Sequence, residues 1–361
     1  MMKRRDFLAA MLAAGVSPWL PGSATAQTVA GGRPAQSSIR DDNLLILVEL
    51  NGGNDGLNTV VPFADPLYRI FRPNIGLPRE QLLPIDARTA LHSALAPMLP
   101  LWQAGQLAIV QGVGYAQPNL SHYRSREIWE TASPADTYLR EGWLARAFAV
   151  EPSLRGFVAG SAEMGPFDGS GNRVTASAST APGANVTSPV PLEMPVPDGP
   201  FGASVEAAMR LLAANGPAPG VSAIRLTLDG FDTHENQPER HAALLAQLAQ
   251  GFSAMRDALV GMGRWARTVV MTYAEFGRSV RENTGNGTDH GTVAPCFVAG
   301  GRVLGGLYGT APQLAQLDSG GQLPVGVDFR RLYATVLGPW WGLDAQTVLH
   351  QHFEPLPLLR T

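Results

Sequence analysis

Residues 44–59 read Leu44-Leu45-Ile46-Leu47-Val48-Glu49-Leu50-Asn51-Gly52-Gly53-Asn54-Asp55-Gly56-Leu57-Asn58-Thr59. The first seven form a nearly unbroken apolar run, too short for a helix and closed by a dense turn signal. Such a run marks a strand covered on both faces, as in a parallel sheet, rather than the alternating pattern of a half-solvated one. Four further runs have the same character: Leu107–Gln111, Ala223–Leu228, Thr268–Tyr273 and Pro295–Val298. Stretches with helical spacing separate them. The clearest starts at Pro238, a residue suited to a first helical turn, and runs to about Val260. In it Leu244, Leu245, Leu248, Phe252, Met255 and Leu259 recur at three- and four-residue intervals. Further helices are expected over Tyr123–Trp129 and Val205–Ala214. Strands alternating with helices predict an α/β fold, doubly wound, with a mainly parallel sheet and helices on both faces.

The composition suits a large core. Of 361 residues, 45% are hydrophobic and 16% charged, which excludes general disorder. A net charge of −3 lacks the basic excess of a nucleic-acid-binding surface. The one cysteine, Cys296, excludes an internal disulfide and a Cys-rich zinc finger, and its apolar strand makes it a core thiol. Residues 1–26 read as an export signal. Lys3-Arg4-Arg5-Asp6-Phe7-Leu8 carries a paired arginine, a short apolar run follows, and Ala24-Thr25-Ala26 supplies a cleavage site. Gly15, Pro18 and Pro21 interrupt that run, so it does not reach the length of a bilayer span. The pattern resembles the bacterial twin-arginine signal. It implies the twin-arginine export machinery as a partner, and a periplasmic or secreted mature chain without a membrane span. Residues 27–42 are expected to be a flexible lead-in, and residues 43–361 one domain with a Gly/Ser/Pro-rich insertion at about 161–202.

In an open α/β sheet, ligands bind beyond the carboxyl ends of the strands. Polar residues concentrate after four of the runs. Asn51–Thr59 follows the first, and Pro118-Asn119-Leu120-Ser121-His122-Tyr123 follows the second. Asp229-Gly230-Phe231-Asp232-Thr233-His234-Glu235 follows the third. Glu275-Phe276-Gly277-Arg278 follows the fourth, with Thr288-Asp289-His290-Gly291 ten residues on. Asn51 or Asp55 offers an oxygen to a cation, although the segment is also a plain turn by composition. Asp232 and His234 point the same way if the chain between them is extended. Adjacent Asp289 and His290 are ligand types suited to zinc, manganese or iron, in a Gly-rich loop. Ser121 precedes a helix, where a capping role explains it and a nucleophile or bound anion would also sit. His92 and His241 read as surface or cap residues, and His350 and His352 as part of a terminal helix.

Five segments carry a resemblance to a known family: Glu49–Pro62, Ser121-His122-Tyr123-Arg124-Ser125, Gly230–Gln237, Glu275-Phe276-Gly277-Arg278 and Gly287–Gly291. In order and from about residue 43 onward, they resemble the DUF1501 family of secreted bacterial proteins, residues 161–202 excepted. The resemblance implies a fold related to the alkaline phosphatase and sulfatase superfamily, whose members hydrolyse phosphate or sulfate esters at one or two metal ions. It further implies a metal-binding role for Asp55 or Asn51, a nucleophile at Ser121, and metal ligands at Asp232, His234, Asp289 and His290. Two departures argue against a complete two-metal site: Glu275–Arg278 occupies the strand end itself, and no His lies between His290 and His350. Ser121-His122-Tyr123-Arg124 also lacks the proline of a formylglycine pattern.

The resulting expectation is an exported, metal-dependent hydrolase of phosphate or sulfate esters, small or polymeric. Asp55, Asp232, His234, Asp289 and His290 would hold a divalent metal (Zn, Mn, Mg or Ca), and Ser121 would attack. Arg278, whose planar fork matches phosphate or sulfate, would clamp the anion. The competing expectation is a non-catalytic periplasmic binding or assembly protein that keeps the fold.

Overall fold

The strand runs fold into one sheet. The computed structural model describes residues 42–177, 195–214 and 220–360. The export signal at 1–26, residues 27–41 of the lead-in and residues 178–194 of the insertion lie outside the described residues. Its strands are β1 (Leu44–Asn51), β2 (Val60–Val61), β3 (Leu82–Pro84), β4 (Ala90–His92), β5 (Leu107–Gly114), β6 (Gly156–Ala159) and β7 (Val174–Ser177). They continue with β8 (Ala223–Asp229), β9 (Thr268–Tyr273), β10 (Gly277–Glu282), β11 (Thr288–Gly291), β12 (Ala294–Ala299), β13 (Gly306–Gly309) and β14 (Val327–Asp328). The main sheet has the order β13-β5-β12-β9-β1-β8-β6-β7, with β14 beside β5.

Six of its eight pairings are parallel: β1 to both β8 and β9, β8 to β6, β6 to β7, and β5 to β13 and β14. Strand β12 is the exception, antiparallel to both β9 and β5. The run Pro295–Val298 is therefore a buried strand, as its apolarity indicates, but reversed among parallel neighbours. Apolarity reports burial and carries no information on direction. Strands β6 and β7, which extend one side of the sheet, have no counterpart among the sequence-based expectations. β7 lies within the stretch read as an insertion without periodicity.

Alternation along β1 divides the core into two layers. Leu45 and Leu47 face the layer that holds Trp129, Trp143, Phe329 and Tyr333. Leu44, Ile46, Val48 and Leu50 face the layer that holds Val205, Met209, Leu245, Leu248 and Phe252. Helices His122–Thr131, Trp143–Val150 and Arg330–Thr335 supply the first layer; Pro200–Ala214 and Gln237–Gly261 supply the second. Both sheet faces are thus covered, which is why the strand runs read as continuously apolar. Among the described residues no helix is long and apolar enough to cross a membrane.

The reversal of β12 decides where the chain's polar residues meet. Because β12 starts at the edge where β9 ends, the link between them stays at that edge. It is drawn out and back as the antiparallel hairpin β10–β11. Residues 289 and 290, distant in sequence from the end of β9, return with β11 to the carboxyl edge of the sheet. Close packing holds the hairpin's base: a Cβ on Gly277 would lie 1.8 Å from the Val293 carbonyl oxygen.

Asp55 belongs to this scaffold and corrects a sequence-based expectation. Its carboxylate is buried, accepts from the Leu57 N–H as a helix cap, and pairs with Arg72 at 2.6 Å. Gln237 donates to the same carboxylate. Arg72 also donates to the Val280 carbonyl at 3.0 Å and the Ser279 carbonyl at 2.8 Å, so the pair ties the turn after β1 to the hairpin. With its oxygens committed in this way, Asp55 is a structural anion rather than a metal ligand. His241 also departs from its surface reading. It is buried, its Nε2 lies 3.0 Å from Asn54 Oδ1, and burial pushes its imidazole down to about 4.

Burial alone would raise the Asp55 carboxyl; the Arg72 guanidinium outweighs it and holds the carboxyl below its ordinary value. A carboxyl depressed in the folded state adds stability that is present above its unfolded value of about 3.9 and is lost as pH falls through the folded value. Asp55→Asn is therefore expected to cost about 3–5 kcal/mol in urea unfolding at pH 7, the range for breaking a buried pair. The deficit relative to wild type should shrink as pH drops below about 4. An equal deficit at both pH values would exclude this role.

A histidine-aspartate cluster at the carboxyl edge

Three segments deliver the cluster. After β8 the chain turns at Phe231 and runs as Asp232-Thr233-His234. Thr233 turns inward, its hydroxyl donating to Gln237 Oε1 at 3.0 Å, so Asp232 and His234 emerge together on the other side. Asp232 Oδ1 lies 3.0 Å from His234 Nε2. Strand β11 brings His290, whose Nε2 lies 3.2 Å from Asp232 Oδ1 and 3.1 Å from His234 Nε2. The helix after β5 brings His122 as its first residue, with Nε2 3.3 Å from Asp232 Oδ2. One ligand atom from each of His122, Asp232 and His290 falls within 4.8 Å of the others.

Each side chain is aimed by a second contact. His122 Nδ1 lies 3.0 Å from Glu275 Oε1, which also accepts the Gly52 N–H at 2.9 Å. Glu275 is buried, and its Oε2 has no hydrogen-bond partner among the described residues. His290 Nδ1 lies 2.7 Å from the Leu120 carbonyl oxygen, which turns Nε2 toward the cluster. The Phe276 ring stacks on His290 with centroids 4.3 Å apart and lies 4.9 Å from His122. Gly52 has φ +115°, and a Cβ there would lie 2.3 Å from the Asp232 nitrogen, so only glycine lets the turn after β1 pass so close.

The electrostatics are uneven around the ring of ligands. Burial opposes ionisation of Asp232, but Arg278, with His122 and His234, outweighs it and holds the carboxyl below its ordinary value. Glu275 above all, then Asp232, holds the His122 imidazole above its ordinary value despite burial. Burial, reinforced by Arg278, lowers that of His290.

The cluster meets the spacing a metal requires. Around a tetrahedral ion with ligands at ~2.0–2.1 Å, neighbouring donor atoms lie about 3.3 Å apart. His234 Nε2, His290 Nε2 and Asp232 Oδ1 are separated by 3.0, 3.1 and 3.2 Å, and His122 Nε2 lies 3.3 Å from the other Asp232 oxygen. Three imidazoles and one carboxylate make a nitrogen-rich set, suited to zinc or manganese and unlike the oxygen shells of magnesium and calcium. Asp232 and His234 have side chains 44% and 41% exposed, so the group opens to solvent on their side.

Three sequence-based assignments take different places. Asp289 and His290 are neighbours on a strand, so their side chains diverge. His290 faces the cluster, whereas Asp289 is 70% exposed and lies 3.4 Å from His234 Nδ1, behind the ring rather than in it. Arg278 is fully buried and its donors are already spent. Nε donates to Gly53 O at 3.0 Å and Nη1 to Thr288 O at 3.2 Å, while Nη2 reaches Gly52 O, Phe231 O and Asp232 Oδ1 at 2.7, 2.8 and 2.5 Å. It positions Asp232 and is not presented to an anion. Ser121 is exposed at the start of its helix and its side chain makes no capping bond. It stands between Leu120 and His122, both of which touch the cluster. His122 and Glu275 have no role among the sequence-based ligands. Both stood in the quoted strand-end segments, and the signal for them was position: the first helical residue after β5 and the second residue after β9.

Several solved structures share a likeness in chain course. The lipoteichoic acid synthase LtaP from Listeria monocytogenes is 9% identical over 73% of this chain and 69% of its own, with a TM-score of 0.43. A protein in the alkaline phosphatase superfamily from Vibrio parahaemolyticus is 10% identical over 72% and 60%, with a TM-score of 0.37. The C-terminal periplasmic domain of EcEptC from Escherichia coli, solved in complex with Zn, is 11% identical over 72% and 73%, with a TM-score of 0.39. No curated protein matches the sequence. The family described as "Protein of unknown function (DUF1501)" matches residues 172–353, half of the chain, a span that includes Asp232, His234, Glu275, Arg278 and His290. The chain belongs to the DUF1501 family.

Proposed function

We propose that this protein is an exported metal-dependent hydrolase of phosphate or sulfate esters, with its metal held by His122, Asp232, His234 and His290. The observation that carries this reading is the convergence of His122, Asp232 and His290 within 4.8 Å of one another, with His234 against Asp232 and His290, on the carboxyl edge of a mainly parallel sheet. The N-terminal paired arginine supports export through the twin-arginine machinery.

A bound divalent cation would polarise the ester oxygens and stabilise the charge that develops on them. The protein's own residues prepare for that. Glu275 and the Leu120 carbonyl hold Nδ1 of His122 and His290, leaving Nε2 of each ring directed at the centre. Such outer contacts fix ring orientation and raise ligand basicity. Arg278 holds Asp232 ionised and in place. Ser121 offers a hydroxyl next to His122, and either it or water is the nucleophile.

Purified protein dialysed against zinc or manganese is expected to retain about one divalent ion per chain by elemental analysis. Asp232→Asn and His290→Ala should abolish that retention and, with it, hydrolysis across a panel of phosphate, sulfate and phosphodiester substrates. A wild-type chain that binds no divalent metal and cleaves no ester under any of zinc, manganese, magnesium or calcium would instead establish the non-catalytic reading.

Asp289→Ala and Glu275→Gln test the outer contacts. Each is expected to weaken metal affinity by roughly 10–100-fold without removing a ligand. Competition with a chromogenic chelator measures this. Unchanged affinity in both would mean that neither contact orients the imidazoles.

A further inference from the structure

The helix face that carries His122 continues at four-residue steps to Arg126 and Glu130. His122 enters the cluster, whereas Arg126 and Glu130, one and two turns further along the helix, line a cavity of about 710 Å³ that Tyr123 also borders. That volume lies within the range of small-molecule sites, ~300–1,000 Å³. It exceeds what an inorganic anion needs.

Arg126 has the properties that Arg278 lacks. Its Nη2 donates to Asn51 Oδ1 at 3.0 Å, and Asn51 immediately precedes Gly52, whose N–H bonds the Glu275 carboxylate that aims His122. Arg126 therefore stands at the junction of cavity and cluster. Its Nη1 reaches Glu163 only at 3.5 Å, and its side chain is 28% exposed. A guanidinium has five N–H donors, so donors remain on Arg126 for an incoming anion. Bidentate contact to phosphate or sulfate is the chemistry for which that fork is suited.

The rest of the wall is mainly acidic. Glu127, Glu130, Glu163 and Asp168 line it, against Arg126 and Arg140. Arg124 engages Glu127 at 2.9 Å. Glu130 lies 3.9 Å from Arg225 and burial pushes its carboxyl up to about 7, so once Arg126 faces an anion the remaining negative charge of the cavity rests chiefly on Glu163 and Asp168. The Tyr123 ring, 83% exposed, stands at the same wall and offers a face to a cation.

We propose that this cavity is the subsite for the alcohol portion of the ester, that Arg126 receives the anionic group between cavity and cluster, and that the alcohol selected carries an ammonium group. The inference rests on the ester reading above and names the substrate class for it. A second anion in the alcohol portion would be repelled by the same carboxylates.

Calorimetric binding to the metal-loaded protein tests it with four probes: inorganic phosphate, propyl phosphate, 2-aminoethyl phosphate and glycerol phosphate. Propyl and 2-aminoethyl phosphate have the same number of heavy atoms and differ in charge. The aminoethyl ester is expected to bind about tenfold more tightly than the propyl ester. Glu163→Gln combined with Asp168→Asn should abolish that preference while leaving inorganic phosphate binding intact. Arg126→Gln should weaken all four probes by about tenfold, and Arg126→Lys should restore part of the loss. Circular dichroism melting curves matching wild type establish that each variant is folded. Equal affinity for the propyl and aminoethyl esters, or tighter binding of glycerol phosphate, overturns the ammonium subsite while leaving the ester reading in place. Unchanged phosphate affinity in Arg126→Gln overturns the anion role. Failure to bind either divalent metal or phosphate overturns the ester reading and this inference together.

Discussion

The buried guanidinium of Arg278 is the contact on which the carboxyl edge depends. Removing a cation from water costs several kcal/mol, and the cost is offset only where every donor finds a well-placed acceptor. Here the acceptors are carbonyls of Gly52, Gly53, Phe231 and Thr288 together with the Asp232 carboxylate. Those groups belong to the turn after β1, the turn after β8 and the hairpin that follows β9. One side chain therefore fastens three loops to one another. The close approach of Gly52 to Asp232 and of Phe276 to Gly53 leaves them little room to relax. Asp232, the one carboxylate in the cluster, is held at the centre of that knot.

A second layer of buried charge lies beneath. Arg72 and Asp55 tie the β1 turn to the hairpin. Arg225 pairs with Glu49 at 2.5 Å under the same edge. Burial nevertheless raises the Glu49 carboxyl, because desolvation outweighs the attraction of Arg225, and Glu275 adds to it. Such pairs contribute little net stability against apolar replacements of the same volume. Their consequence here is geometric, since each fixes the backbone from which a cluster residue or its positioning partner departs.

The reversed strand β12 has the largest topological effect. In an all-parallel arrangement the segment after β9 would cross the sheet as a helix and return at the opposite edge. Running β12 antiparallel keeps the whole link on the carboxyl edge and allows a hairpin to carry His290 into contact with Asp232. Residues 274–288, which separate the end of β9 from the Asp289-His290 pair, are taken up by that hairpin and the turn leading into it. Alternation on β11 then selects His290 for the interior and leaves Asp289 outside.

Local chemistry in the sequence was sufficient for the sheet's buried strands β1, β5, β8, β9 and β12, though not for β6, and for the helix Gln237–Gly261 and the strand-end location of the polar residues. Burial on both faces leaves an apolar run, helical packing leaves a 3.6-residue period, and turns require glycine and asparagine. The pairing of Asp232 with His234 was legible for the same reason, being a two-residue relation. Everything that depends on a partner distant in the chain was decided by the tertiary structure. The direction of β12 is set by its neighbours and leaves no mark on its composition. Asp55 is a strand-end carboxylate that becomes a scaffold anion only because Arg72 meets it. Arg278 has the fork of an anion clamp, and it is denied that role by carbonyls from three other segments. His122 enters the cluster because Glu275, 153 positions away, turns its ring. Sequence spacing reports which residue types share an edge; which of them face one another is settled by packing.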